Sequence, residues 1–451
     1  MSNDSDSSDN AKVERLDKEA AAVTVVESGS DDSYALGPGA AWRTGEYAIF
    51  FAYSLRQCNK LPVLGGFLLQ FCVAGPVTAF GVFQDFYSST WLSNFSQSDI
   101  SWIGSVQLFI AFGLGTLAGR LYDYGYCRHV LLAGSLVFTI SFFMISLTQP
   151  QRYYQVFLSQ GLGLGIGYAL VYIPTMTVVS HHFRKRKALG MGILVAGGPL
   201  GSVIFSIMLN QLVHHGPGFR WAVRAVGFVV AGCFGLGNAL IAIPPPSAAS
   251  THSNASTSIK VIWTDLPFIL TLISGFVAQL GTFFPIFYIQ VFASGHGLSK
   301  SLTFYSLAII NVSSIFGRIV PNFFADRFGV LNTFIICVGI NGAVGFLMLL
   351  ASHTAGLVIF CILYGFFFGS TISLYMPAVA YISPTKANMG AVMGVGITPV
   401  GVASLIGPPI AGAILGSELI WWKGVTFASV VLISASGIEF VARYLRHRST
   451  S

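Results

Sequence analysis

Over 451 residues the chain is 54% apolar and 14% aromatic, carries charge on only 9% of its positions, and has a mean hydropathy of +0.71. So much apolar surface cannot be hidden in a water-soluble fold, which excludes a soluble enzyme or binding module and makes the lipid bilayer the solvent. The formal net charge of +7 comes without a basic face interleaved with exposed aromatics, so nucleic acid is excluded as a partner and the surplus Lys and Arg are read as topology signals.

Residues 1–62 are predicted to be a disordered, cytosolic, acidic tail. Ten of the 17 carboxylates lie before residue 50, and no basic segment followed by an apolar one is present, so no cleavable signal peptide is expected. Twelve apolar runs of spanning length follow, at about 63–84, 101–120, 130–148, 154–180, 188–212 and 221–243, then 266–290, 302–322, 331–351, 355–381, 389–415 and 420–440. The Pro-rich segment 244–261 is a cytosolic linker between a six-helix bundle at 63–243 and another at 262–441, and 442–451 is a short cytosolic tail. Lys and Arg cluster in the even-numbered breaks and the two tails, which places both termini in the cytosol. The fold class is therefore all-α integral membrane, with twelve transmembrane helices in two pseudo-symmetric six-helix bundles.

Taken in chain order, the motifs begin with Asp85 at the outer end of span one, read as a helix-end carboxylate. Asn94-Phe95-Ser96 is a glycosylation sequon in the next outer loop, close to the membrane. After span two comes Gly119-Arg120-Leu121-Tyr122-Asp123-Tyr124-Gly125, with Arg128 following. Its counterpart after span eight is Ala325-Asp326-Arg327-Phe328-Gly329. A short charged loop repeated at matching positions implies two related halves, as in many transporters. Gly119, Arg120, Asp123, Arg128, Asp326 and Arg327 are the candidate gate, with weak ion pairs expected between the aspartates and arginines. The glycines from Gly161 to Gly167 in span four suit close helix packing, because no strand precedes them as a nucleotide loop requires. Scattered cysteines argue for neither disulfides nor zinc, and the pairs His181-His182 and His214-His215 point to different faces, so no metal is expected. Prolines within spans, such as Pro174 and Pro377, bend their helices.

Arg318 is the candidate binding residue. It lies eight residues before Asp326, some 12 Å into a hydrocarbon core about 30 Å thick. A guanidinium at that depth costs at least about 2.5 kcal/mol and persists where it meets a cavity or partner. The nearest helical neighbours, Ser314 and Asn311, carry no charge, so the expected partner is an anionic ligand, the alternatives being backbone carbonyls or a side chain that snorkels toward the cytosol.

These residues resemble the fungal monocarboxylate-transporter-like group of the major facilitator superfamily over roughly residues 60–445. The resemblance is carried by Phe80-Gly81-Val82-Phe83, the Gly119–Arg128 loop, Tyr153–Phe157, His182–Gly192, Arg220-Trp221-Ala222-Val223-Arg224-Ala225 and Asn311–Arg318. It implies alternating access by two rocking bundles, with Gln70, Tyr172, Gln279, Tyr288 and Tyr375 facing a central cavity beside Asn311 and Arg318. Two departures bear on this. The Lys of span one and the Asp one turn before the span-eight Arg, both tied to proton coupling in mammalian lactate carriers, are Thr78 and Ser314 here. In addition, Gly39-Ala40-Ala41-Trp42 is separated from Val63-Leu64-Gly65-Gly66 by about twenty residues, so 43–62 reads either as a retained intron or as an interfacial stretch.

The expected activity is secondary transport of a small organic solute, chiefly a carboxylate or other organic anion, with protons as the simplest coupling ion. No cofactor is called for, since no GxxxxGK[ST] loop is present. The alternatives are a riboflavin carrier, an exporter of a secondary metabolite, or a non-transporting nutrient sensor. The plasma membrane is the expected location, with the vacuolar membrane as the alternative.

Overall fold

The computed structural model describes residues 61–182, 186–214, 216, 218–241, 243, 264–384, 388–416 and 419–450. The expectations for residues 1–60 of the N-terminal tail and for the 244–261 linker fall outside these residues, while Leu61 and Pro62, expected in the tail, open the first helix.

Eleven helical stretches are long and apolar enough to cross a bilayer. One of them, Asp99–Ile145, runs for 47 residues, or about 70 Å, more than twice the hydrocarbon thickness. It reverses at Gly125, whose φ of 87° is a left-handed setting that a residue without Cβ reaches freely. The described chain therefore makes twelve crossings: α1 (Pro62–Trp91), α2 (Gln97–Gly113 continued by Gly115–Leu121), α3 (Cys127–Ile145), α4 (Tyr153–His182), α5 (Lys187–Val213), α6 (Phe219–Leu240), α7 (Leu266–Gly295), α8 (Lys300–Phe328), α9 (Val330–Leu350), α10 (Thr354–Ile382), α11 (Met389–Leu415) and α12 (Trp421–Arg448). Gly329, at the turn after α8, has φ 94°, which repeats the Gly125 turn in the second half.

Helix α12 continues to Thr450, through the residues expected to form a tail. Arg443, Arg446 and Arg448 are good helix formers, and cations are favoured at a helix C-terminus.

Packing repeats between the halves. In the first, α1 lies against α5 and α6, α4 against α2 and α3, and α3 against α6. In the second, α7 lies against α11 and α12, α10 against α8 and α9, and α9 against α12. Every pairing recurs six helices later. Two seams join the halves, α2 on α11 and α5 on α8, and they too exchange under the same operation. Lipid tails are as apolar as these side chains, so close packing of small residues holds the seams. A Cβ on Gly119 of α2 would sit 1.9 Å from the carbonyl oxygen of Gly390 on α11, and one on Gly390 would be 2.4 Å from that of Gly119. Backbone meets backbone there.

Candidate functional site

Both aspartates of the repeated loop cross to the other half. Asp123, at the end of α2, accepts hydrogen bonds from the amides of Gly390 (3.0 Å) and Ala391 (2.7 Å) at the start of α11. Asp326, at the end of α8, accepts from Ala188 (3.1 Å) and Leu189 (3.0 Å) at the start of α5. The first amides of a helix have no partner within it and carry partial positive charge, so a carboxylate is their natural acceptor. The acids do not close the seams through the arginines of their own loops, as the sequence had suggested. Arg120, Arg128 and Arg327 stand exposed, and the Arg327 guanidinium lies 5.9 Å from the Phe323 ring. Helix N-termini win because their donors are fixed in place and already lack partners, whereas a surface arginine gives up side-chain entropy to form a pair.

From this latched face the seams continue inward. Thr116 and Thr398 share a hydrogen bond of 2.8 Å between α2 and α11, and the Thr177 hydroxyl of α4 donates to the Met393 sulfur of α11 at 3.5 Å. In the other seam Gly192 of α5 faces Asn322 of α8, where a Cβ would come within 2.2 Å of the Arg318 carbonyl oxygen. Asn322 occupies the place that Gly119 holds in the first seam. It donates to the Arg318 carbonyl (2.8 Å) and the Ser373 hydroxyl (2.6 Å).

Arg318 itself is buried at 6% exposure. It reaches across the α5–α8 seam, donating from Nη1 to the Val195 carbonyl at 2.8 Å and from Nε to the Ser314 hydroxyl at 3.3 Å. Of the partners open to it from sequence, the backbone carbonyl is occupied in this state. Tyr168 and Tyr172 of α4 lie within its electrostatic reach. Their rings stack at 5.2 Å and 23°, and Phe112 of α2 meets both edge-on at 5.6 and 5.9 Å. A guanidinium held, among the described residues, by neutral oxygens alone can take an acid through bidentate hydrogen bonds, and the neighbouring tyrosine pair suits one that is planar or aromatic.

The other expected cavity residues divide. Gln70 of α1 is fully buried and neither amide atom has a partner among the described residues. Gln279 spends its amide on Ser404 of α11 at 2.8 Å. The Tyr375 hydroxyl donates to the Gly396 carbonyl at 2.7 Å, and its ring packs where a Cβ on Gly275 would stand. Such a wedge between α7, α10 and α11 is a packing element. Asn311 donates back to Leu307 on its own helix at 2.9 Å, and Thr78 does likewise to Ala74 at 2.7 Å. The Tyr288 ring lies tilted at 33° against Phe284, 5.1 Å away. Asn94 is exposed in the loop after α1, where its backbone N–H donates to the Gln151 side-chain oxygen at 3.3 Å.

Three residues escape a sequence reading focused on span eight. Tyr168 was signalled by its place one turn before Tyr172. Gln107 of α2 matches Gln70 in being fully buried with both amide atoms unpartnered among the described residues. Glu439 is a buried acid in the last span. At the opposite face a recess of about 440 Å³ is lined by Trp91, Phe219, Arg220, Trp221 and Arg224, with Arg220 over Trp91 and Arg224 over Trp221.

Comparison with known proteins agrees with this architecture. Residues 63–398 match the Major Facilitator Superfamily. The chain is 36% identical over 384 residues to the aspyridones efflux protein of Emericella nidulans, across 85% of this chain and 77% of that one. It is 37% identical over 355 residues to the agnestins efflux protein of Paecilomyces divaricatus, across 79% of this chain and 80% of that one. Among solved structures, the E. coli fucose:proton symporter superposes with a TM-score of 0.66 at 14% identity, over 86% of this chain and 98% of that one. The nucleoside transporter of the same fold gives 0.59 at 15%, over 86% and 99%. With a fold, a repeated helix packing and a sequence match that all point one way, the chain belongs to the Major Facilitator Superfamily and is a multi-pass membrane transporter of small molecules.

Proposed function

We propose that this transporter is an efflux carrier for an acidic secondary metabolite with aromatic or conjugated character, bound at Arg318. The observation that carries the reading is Arg318 itself: a buried guanidinium on the seam between the halves, paired among the described residues with neutral oxygens alone and with the Tyr168–Tyr172 pair in its electrostatic neighbourhood. Relatives named as efflux proteins, matched along most of their length, support export over the carboxylate uptake suggested by the monocarboxylate-like resemblance. The organic-anion character of the substrate is common to both.

In this reading the halves rock about the seams. The Asp123 and Asp326 caps gate the latched face, which the Lys and Arg distribution assigns to the cytosol, and the protein works in the plasma membrane. Binding between α4, α5 and α8 draws the guanidinium from Val195 to the ligand, so the carbonyl bond is the resting substitute for the substrate.

The test is efflux from cells and uptake into inverted vesicles of a panel of acidic aromatic metabolites, short monocarboxylates and riboflavin, comparing wild type with Arg318→Ala. For the transported acid the variant is expected to lose about tenfold or more in apparent affinity, the worth of one buried charge-assisted bond. An acid carried by Arg318→Ala at wild-type rate and affinity would remove the anion site.

A further inference from the structure

Glu439 has no place in the site described so far. It sits in α12 at 1% exposure, 18 residues from the start of that helix at Trp421 and therefore about 27 Å along it. Its position is between α12 and α7, near the latched face but inside the packed bundle. Close by at the surface, Arg446 of α12 pairs with Asp265 before α7 at 3.7 Å. Among the described residues Glu439 is in no ion pair.

Its hydrogen bonds are informative. The Thr271 hydroxyl of α7 lies 3.1 Å from Glu439 Oε1 and 3.2 Å from the Pro267 carbonyl oxygen. Thr271 has one proton for these two acceptors, and Glu439 Oε2 has no partner among the described residues. Ser274, one turn further along α7, donates to the Ala435 carbonyl at 3.0 Å. An ionised carboxylate here could draw only on the hydroxyls of Thr271 and Ser274, each already placed to donate to a backbone carbonyl, an arrangement a buried charge does not tolerate. One added proton resolves the arrangement: Glu439 Oε1–H donates to Thr271 Oγ1, and Thr271 then donates to Pro267. The groups around it supply no competing charge. From Leu266 to Gly295, α7 has Tyr288 as its one titratable residue, α11 has none, α9 has Cys337, and α10 has Cys361, Tyr364, Tyr375 and Tyr381, of which Tyr375 lies within electrostatic reach of Glu439. On α12 itself Arg443 is exposed one turn away, and Arg446 is the Asp265 partner.

We propose that Glu439 is a proton-binding site between α7 and α12, and that its proton is the one whose movement drives transport. The second half of this statement rests on the transport reading above; the first does not. The step is simple: the carboxylate takes a proton to become the neutral acid, and returns it when α7 moves away from α12. Helix α7 is built to move, since it breaks at Phe283 ahead of Pro285. Ionised Glu439 needs water or a cation, which the packed α7–α12 interface does not admit, so its charge state and the position of α7 are linked.

The proton site is read without any substrate, on the full chain in lipid, by infrared difference spectroscopy. Wild type at neutral pH should show the carbonyl stretch of a protonated carboxylic acid, fading on alkalinisation, and Glu439→Gln should lack it. Glu439→Asp, which keeps the acid on a shorter arm, should shift that band, which guards against a Gln variant that does not fold. No band removed by Gln and none shifted by Asp would overturn the site. The coupling role is read in vesicles with the acid transported by wild type. Glu439→Gln should exchange it across the membrane within about twofold of wild type, yet fail to concentrate it under an imposed pH gradient. A variant that concentrates the acid as well as wild type does would overturn the coupling role and leave the carrier reading intact.

Discussion

A single carboxylate at a helix start does two jobs when the helix belongs to the other half of the molecule: it satisfies two orphan amides and it holds the seam shut. Each charge-assisted bond of such a pair is worth roughly 1.5–3 kcal/mol, or about ten- to a hundredfold in the balance between closed and open forms, and Asn, with one acceptor oxygen, keeps only one of the two. Asp123→Asn should therefore speed hydrogen exchange at the amides of Gly390 and Ala391 by about that factor, with Ala188 and Leu189 unchanged, and Asp326→Asn should do the reverse. Exchange that rises equally at both places in each variant would show the caps acting as one unit.

The unpartnered amides of Gln70 and Gln107 give a second prediction at the same scale. Buried polar groups without partners cost about 1–3 kcal/mol each, so Gln70→Leu should raise the thermal unfolding midpoint while lowering transport. A variant that is less stable would mean the amide is satisfied in the fold. These residues also mark how far a sequence can be read. Arg318 and the two aspartates stand out because charge inside a membrane is rare. Their partners do not, because a backbone amide or carbonyl carries no letter of its own. The expected pairing of Asp123 and Asp326 with arginines failed for that reason. Tyr375 and Asn311 illustrate the converse, since their side chains have the right chemistry for a cavity but are spent on Gly396 and Leu307.

At the scale of the element, the α2–α11 crossing sets what the gate can tolerate. The closest approach is backbone on backbone at Gly119 and Gly390, and backbone does not yield as the end of a flexible side chain does. Gly119→Ala should hold the seam apart, breaking the Thr116–Thr398 bond and the Asp123 cap together. The expected outcome is faster exchange along the start of α11 and a loss of about tenfold or more in transport, with the fold intact by circular dichroism. Spans were legible because each is a long apolar run ended by charge or a turn. The end of α12 was less so, because the arginines that signal the cytosolic side also extend the helix. Glu439 was visible as the sole carboxylate within the last span, yet its importance depends on which helix faces it, and only packing settles that.

For the whole molecule, the repeated packing makes the two seams equivalent in kind and unequal in content. One is glycine on glycine; the other places Gly192 against Asn322 and sets Arg318 beside it. Since the two caps lie in different seams and share no partner, their effects should add. The double variant Asp123→Asn with Asp326→Asn is expected to speed exchange at all four capped amides, each pair by the factor its own single variant shows. A rise at either pair well beyond its single-variant factor would mean that opening one seam helps to open the other.

The exchange of acids between halves also bears on how the molecule is assembled. Each half supplies the stopper for a helix that begins in the other, so neither half has its gate helix finished until its sibling arrives. The bonds that complete α5 and α11 run through space and not along the backbone. Two fragments, one ending after Leu240 and the other starting before Leu266, carry between them every cap and seam described above. Made together in one membrane they should find each other and transport, whereas either made alone would leave a helix start bare in search of an acid.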